Sequence, residues 1–304
     1  MIYKKCELCP RKCGADRTVS HGYCGQTNEI RIARAAPHFW EEPCLSGENG
    51  SGTVFFCGCT LGCVYCQNYA ISRGDTAEHG TVVGTSELAD IFLRLQNIGV
   101  HNINLVTPTM FAPSISEAID TARKRGLTLP IVYNTSGYES VNGLSHVADK
   151  IDVYLPDFKY TSPDIAKKYS HADDYPVYAK ASLAYMVDKV GEAEFNTDGI
   201  MTRGVIVRHL LLPGQFHESK RVLDCLFGEY GNSIYYSLMS QYTPVLALDK
   251  TAYPELARKV TTYEYEKLIE HALALGIKNG FIQDGGAAKE SFIPEFDGEI
   301  HDQI

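Results

Sequence analysis

Three cysteines, Cys59, Cys63 and Cys66, stand at C-x3-C-x2-C spacing in the run Gly58-Cys59-Thr60-Leu61-Gly62-Cys63-Val64-Tyr65-Cys66-Gln67-Asn68, and no fourth follows closely. A cubane 4Fe–4S cluster normally takes four cysteines, one per iron. Three close thiolates therefore point to a cluster whose fourth iron is open to another ligand. Full ligation marks a structural or electron-transfer site, whereas an open position marks a catalytic one. The same residues would also serve as three of four zinc ligands, or as thiols that are merely buried.

A second group is Cys6-x2-Cys9-Pro10-x2-Cys13-Gly14, followed by Cys24-Gly25. Four cysteines among Gly, Pro and charges cannot build an apolar core, so they read as a small metal-stapled module folded largely by ligation. Four thiolates suit either a structural zinc or an auxiliary 4Fe–4S cluster, and the spacing leaves both open. His21 is an alternative ligand, although a surface position is the simpler reading. Cys44, Cys57 and Cys225 have no ligand spacing and read as buried small hydrophobes.

The elements that must position these groups begin near residue 52. Thr53-Val54-Phe55-Phe56 is a short apolar strand running straight into the Cys59 loop. Ser86 to Ile98 reads as a helix with Thr85 or Ser86 as N-cap, an apolar stripe of Leu88, Ile91, Phe92 and Leu95, and Gly99 as its stop. Further strands are expected at 102–106, 131–133, 151–155, 205–210 and 233–237, with helices at 114–124 and 263–275 between or after them. Strands alternating with helices imply a parallel sheet. Six such units suit an α/β fold, a partial six-stranded (β/α)6 TIM-like barrel, with a doubly wound open sheet as the alternative. In such barrels the chemistry lies at the C-terminal strand ends, where the Cys59 loop falls. Residues 1–50 are expected to form the cysteine-rich metal-binding module and linker, and 51–304 the barrel with a C-terminal extension.

The cysteine loop, with an aromatic residue (Tyr65) just before its last cysteine, resembles the motif of the radical S-adenosylmethionine (SAM) superfamily. The likeness extends through Cys6 to Arg11, Phe55 to Asn68, Asn102 to Thr109, Ile131 to Gly137, Asp152 to Lys159 and Ser237 to Pro244. Together these resemble the radical SAM homologues of pyruvate formate-lyase activating enzyme. The resemblance implies that Cys59, Cys63 and Cys66 hold a 4Fe–4S cluster whose open iron is chelated by SAM, and that reductive cleavage of SAM yields a 5′-deoxyadenosyl radical that abstracts hydrogen from a substrate. It implies no catalytic residue on the protein itself, since the cofactor carries the chemistry.

It also implies SAM contacts at successive strand ends. Thr107 and Thr109 replace the Gly-Gly-Glu type sequence of the activating enzymes, which holds the SAM amino group. Asn134 and Thr135 stand where those enzymes have Asp-Thr-Asn-Gly, and loss of the carboxylate removes the basis for their cation site. Asp157 and Lys159 match a Leu-Asp-Leu-Lys sequence and would pair with each other and with the zwitterionic end of SAM. Arg208 matches an arginine near the SAM carboxylate, while His209 beside it reads as a core histidine. Gln241 and Tyr242 replace a histidine near the adenosyl group and at most line the pocket.

Apolar content of 44% and charged content of 21% suit a globular protein, and a net charge of −9 gives no general attraction to nucleic acid or anionic membranes. No apolar run reaches the ~20 residues of a membrane span, and the N-terminus lacks a signal-peptide core, so a cytoplasmic location is expected. Ten cysteines in that compartment favour metal binding over disulfides. The partners expected are a low-potential electron donor, flavodoxin or ferredoxin, and a substrate that is either a protein or peptide or a small metabolite. The reading from another class is a non-catalytic Fe–S electron-transfer or SAM-binding protein.

Overall fold

The computed structural model describes residues 2–73, 76 and 78–282. The expected C-terminal extension beyond 282 lies outside the described residues. In chain order the elements are β1 (Ile30–His38), α1 (Pro43–Ser46), β2 (Ser51–Phe56), α2 (Tyr69–Ser72), β3 (Thr81–Val83), α3 (Thr85–Ile98), β4 (Ile103–Val106), α4 (Ala112–Lys124), β5 (Ile131–Thr135) and α5 (Val141–Leu144). They continue with β6 (Val153–Pro156), α6 (Pro163–Ser170), α7 (Tyr175–Val190), β7 (Glu194–Phe195), β8 (Met201–Leu210), α8 (Phe216–Tyr230), β9 (Tyr235–Met239), α9 (Thr262–Leu275) and β10 (Gly280–Ile282).

The strand order decides between the two expected architectures. Reading across the sheet it is β10-β9-β8-β6-β5-β4-β2-β1-β3, and every neighbour pair from β2 to β10 is parallel. Successive parallel strands are added always on the same side, so the order never reverses as a doubly wound sheet requires. The large helices therefore cover one face only. That face carries Val54, Phe56, Ile103, Leu105, Tyr133, Val205, Val207 and Leu238, packed with the apolar stripes of α3, α4 and α8. Alternate residues point to the other face. One cavity on that face touches His38 of β1 and Phe281 of β10, seven strands apart in the sheet. In a flat sheet those edges would stand roughly 34 Å apart. The sheet is thus curled into a partial barrel.

The lower part of the barrel is filled by α1. Cys44 and Leu45 pack against Val132, Val153, Leu155 and Ile206, and the Asn102 side chain donates to the Leu45 carbonyl at 2.8 Å. The sheet also begins earlier than the sequence suggests. β1 pairs antiparallel with β2, and β3 with β1, within or beside segments expected as linker. β1 reads Ile-Arg-Ile-Ala-Arg-Ala-Ala-Pro-His, where small residues and arginines blur the alternation that marks a strand. Gly84, rather than Thr85 or Ser86, caps α3, because the Glu87 carboxylate accepts from the Gly84 amide. No helix among the described residues is long and apolar enough to cross a membrane.

The N-terminal cysteine segment packs against the barrel. Arg17, fully buried, donates to the carbonyls of Gln26 (3.1 Å) and Met110 (2.7 Å), and its guanidinium lies over Tyr3 and Phe111. At the N-cap of α5 the Ser140 hydroxyl donates to the Leu8 carbonyl at 2.9 Å. A Cβ on Gly143 would stand 1.9 Å from that same carbonyl oxygen. Gly143→Ala should therefore loosen the N-terminal segment by about 1–3 kcal/mol, the range for overpacking. Limited proteolysis checks this: cleavage within residues 2–29 should accelerate, while the sheet melts at nearly its former temperature.

Candidate metal and cofactor site

The Cys59 loop turns out of β2 through two glycines in the left-handed region, Gly58 (φ 86°) and Gly62 (φ 75°). Gly58 has a packing reason as well, since a Cβ there would meet the Cys24 carbonyl oxygen at 2.6 Å. Cys59, Cys63 and Cys66 all line the same cavity, of about 780 Å³. Each sulfur has its own hydrogen-bond donor. The Leu61 amide faces Cys59 Sγ at 3.4 Å, the Ser170 hydroxyl faces Cys63 Sγ at 3.0 Å, and the Ser72 hydroxyl faces Cys66 Sγ at 3.3 Å. Cys57 is excluded from this set: it is fully buried in a separate cluster with Ala33, Ile71 and Val106.

Burial makes two of these thiols, Cys63 and Cys66, reluctant to ionise. It pushes Cys66 up to about 12, with the neighbouring Cys59 adding to the rise, and it raises Cys63 although Lys159 opposes it. Three half-buried thiolates side by side need a positive counter-charge, which an iron–sulfur core would supply. Among the described residues no three His, Cys, Asp or Glu side chains converge tightly enough to hold a single metal ion. A cubane spreads its ligands over separate irons, so the loop fits such a cluster without meeting the single-ion criterion.

The N-terminal cysteines do not converge on one metal ion either, so the separate metal-binding module expected from the sequence is not shown. Cys6, Cys9 and Cys24 are buried, and Cys13 is exposed. The sulfurs of Cys13 and Cys24 flank the same point beside Gly22, 3.5 and 3.4 Å from where a Cβ there would sit. Burial, aided by Cys24, Glu139 and Cys6, holds the Cys9 thiol at about 12. His21 is exposed.

Tyr65 is buried, and its hydroxyl lies 2.6 Å from that of Tyr160, which lies 2.9 Å from the Ser170 hydroxyl. If Ser170 donates to Cys63, the chain of hydroxyls runs Tyr65 to Tyr160 to Ser170 to sulfur, each donating to the next. The aromatic of the motif thus reaches Cys63, rather than the Cys66 that follows it in sequence, through two intermediates.

Of the other expected contacts, Thr107, Asn134, Thr135, Asp157, Lys159, Arg208 and Gln241 line the cavity. Thr107 adopts a left-handed backbone (φ 58°), uncommon for a branched residue, at the end of β4. Thr109 does not reach the cavity. It is buried and donates at 2.5 Å to Glu139, which also accepts from Thr135. Asp157 and Lys159 form an ion pair at 2.5 Å. Burial works against the Lys159 charge, but Asp157 and Cys63 more than offset it and hold its pKa well above the lysine range.

Arg208 is already partnered. Its Nε donates to Glu42 at 2.8 Å and its Nη2 to the other Glu42 oxygen at 2.6 Å, and Nη2 also meets Glu41. The Glu42 carboxyl is depressed despite full burial because Arg208 and Ser237 stabilise the anion. Glu41 also accepts from Asn104 at 2.9 Å. The sequence places Glu41 and Glu42 in a linker, 37–44, whose aromatics and acids either close the mouth of the site or pack the module down; in the structure His38, Trp40, Glu41 and Glu42 line the cavity. Nothing in their spacing marks them as the floor of a barrel, since the contact to Arg208 spans more than 160 residues. Tyr242 lies behind the cavity, donating to the Leu256 carbonyl. His209 is a satisfied core residue between the Phe158 carbonyl and Ser219, both at 2.8 Å.

No protein-family model matches the chain. An uncharacterised protein of Methanocaldococcus jannaschii, MJ0674, is 28% identical over 278 residues, 89% of this chain and 75% of that protein. Among solved structures, Streptococcus suis SuiB bound to its precursor peptide SuiA overlaps 71% of this chain and 43% of its own, at 12% identity and a TM-score of 0.48. The FeFe-hydrogenase maturase HydG of Carboxydothermus hydrogenoformans overlaps 73% and 55% (13% identity, TM-score 0.45), and methylornithine synthase 73% and 67% (12%, 0.45). The chain thus spans about half of the first two. Overlaps at this level leave the activity to be argued from the site itself.

Glu139 yields a pH test. It is fully buried, and burial raises its pKa to about 7 against the lowering by Thr109 and Thr135, while its second oxygen has no partner. The folded protein therefore keeps a proton that the unfolded chain releases near pH 4.5. Stability falls as pH rises from about 4.5 to 7, by on the order of 3 kcal/mol. Glu139→Gln should flatten this slope, making the variant more stable than wild type at pH 8 but not at pH 4.5. Urea unfolding at the two pH values reads the difference.

Proposed function

We propose that this chain is a radical SAM enzyme in which Cys59, Cys63 and Cys66 hold a 4Fe–4S cluster with one iron open to SAM. The observation that carries the reading is that three sulfurs at this spacing open into one cavity, each with its own hydrogen-bond donor. When bound, the cluster supplies an electron that cleaves SAM to methionine and a 5′-deoxyadenosyl radical, which removes a hydrogen atom from a substrate C–H bond.

The chain's own residues bind, orient and exclude water. The Asp157–Lys159 pair presents both charges to the cavity, matching a ligand that carries an ammonium and a carboxylate. The Thr107 and Asn134 side chains at neighbouring strand ends supply further hydrogen-bonding groups. Arg208 takes part with its charge already balanced by Glu41 and Glu42, which leaves Nη1 outside that pairing. Its contribution to a SAM carboxylate would be a single hydrogen bond rather than a bidentate clamp. Thr109 is tied through Glu139 to Thr135, which does line the cavity, instead of touching the ligand. The four N-terminal cysteines are the candidates for a second metal site, zinc or an auxiliary cluster, and because no three of them converge on one ion the cluster is the better fit. An electron donor of low potential, a flavodoxin or ferredoxin, completes the system, with the substrate either a peptide or a small metabolite.

The protein, reconstituted anaerobically with iron and sulfide, should generate 5′-deoxyadenosine from SAM and dithionite. Cys59→Ala, Cys63→Ala or Cys66→Ala should lower that yield at least 100-fold and remove about four irons per chain. About four irons plus one zinc in the wild type would make the N-terminal site structural, and about eight would make it a second cluster. A loaded cluster whose EPR signal is unmoved by SAM, with no deoxyadenosine formed, would reject radical chemistry in favour of a non-catalytic Fe–S protein.

A further inference from the structure

Arg11 lies between Cys9 and Cys13 in sequence, yet its guanidinium leaves that segment altogether. Its Nε donates to the Thr60 carbonyl at 3.0 Å and its Nη2 to the Leu61 carbonyl at 2.9 Å, both within the Cys59 loop. On the other side Nη1 donates to the His171 carbonyl at 2.6 Å and Nη2 to the Ser170 carbonyl at 3.1 Å, at the end of α6. The guanidinium plane is held between the rings of Tyr23 (4.3 Å) and Tyr138 (5.1 Å).

Two of these four carbonyls belong to the groups that face the sulfurs. The Thr60 carbonyl and the Leu61 amide are opposite ends of one planar trans peptide. Arg11 fixes the carbonyl end, so the N–H end is aimed at Cys59 Sγ, 3.4 Å away. Ser170 is gripped by its carbonyl while its hydroxyl lies 3.0 Å from Cys63 Sγ. The donor to Cys66, Ser72, has no such link: its backbone amide bonds within its own short helix, to the Asn68 carbonyl at 3.0 Å.

We infer that Arg11 is a positioning residue for the cluster, orienting the hydrogen-bond donors of Cys59 and Cys63 and thereby setting its reduction potential and its hold on iron. This rests on the cluster assignment under Proposed function. Hydrogen bonds to cluster sulfur stabilise the more negative, reduced form and so raise the potential. A planar fork with five donors can hold four carbonyls on two segments, which a lysine ammonium cannot.

The test uses the full chain, loaded anaerobically, with Arg11→Lys, Ser170→Ala, Ser72→Ala and the two doubles that combine each serine change with Arg11→Lys. EPR-monitored redox titration gives the midpoint potential, and iron release to a chelator gives the hold on the cluster. Arg11→Lys should move the potential negative and release iron about tenfold faster, at the low end of what loss of an outer-shell partner costs. Ser170→Ala, which leaves Arg11 intact, should shift the potential in the same direction. The Arg11→Lys effect should shrink in the Ser170→Ala background and persist in full in the Ser72→Ala background. A potential and release rate equal to wild type in Arg11→Lys would overturn the inference, as would full additivity with Ser170→Ala. The cluster assignment fails separately, and takes the inference with it, if wild type binds no iron that Cys63→Ala removes.

Discussion

Gathering three half-buried thiolates side by side is the constraint around which this molecule is arranged. A sulfur anion partly withdrawn from water is costly unless cations and hydrogen-bond donors surround it. The chain supplies those from distant places: Leu61 from the loop itself, Ser72 from the helix that follows, and Ser170 from the end of α6. Lys159 adds a positive charge close enough to stabilise an ionised Cys63, and is in turn kept charged by Asp157. Each of these reaches the loop because the strands add in one direction around a single cavity. A sheet whose order reversed would split these groups between two faces.

The same cavity is floored by a second charge problem with a different solution. Arg208, on the inner face of β8, would be costly there alone. Glu42 meets it fork to fork, Glu41 joins from the same turn, and Asn104 takes a remaining Glu41 oxygen. Two carboxylates against one guanidinium leave the floor anionic. Removing one partner from such a cluster leaves an uncompensated charge, which is worth more than the pair's net contribution to folding. Arg208 is thus a structural tie between the 39–42 segment and β8 as well as a wall of the cavity. The segment is short and irregular, and this tie, with α1 seated beneath it, is what holds it inside the barrel.

Six of the seven parallel strands among the described residues, all but the three-residue β10, and the helices at α3, α4 and α9 were legible because each shows one plain periodicity and most are bounded by Gly or Pro. The three loop cysteines were legible because their chemistry depends on local spacing. β1 was not, since its arginines and alanines hide the period of two. Thr107 and Thr109 illustrate a finer limit. Both are hydroxyl residues at one strand end, and what separates them is backbone: a left-handed turn at Thr107 faces it into the cavity, whereas Thr109 starts a helical turn facing Glu139. Glu139 itself follows a turn and looks like an ordinary solvated acid in sequence. Its burial comes from the packing of the N-terminal segment over α5, a contact between residues some 130 apart that no local pattern encodes.

That packing bears on how the cysteine groups relate. Residues 2–29 have no strand or helix of their own, and their backbone is held by short turns between cysteines, such as the Gly14 amide on the Cys6 carbonyl and the Lys12 amide on the Cys9 carbonyl. Such a segment, with few apolar side chains to bury, takes its order from whatever it is tied to. Here the ties run to the Cys59 loop: the Cys24 carbonyl accepts from the Cys59 amide at 3.3 Å, and Tyr23 lies between the guanidinium groups of Arg11 and Arg73. Gly62 leaves the space that the Arg73 guanidinium fills. The loop's outward face is therefore made by the N-terminal segment and its inward face by the barrel. Three sulfurs on a glycine-bearing loop would otherwise have many arrangements, and packing from both sides is what reduces them to one.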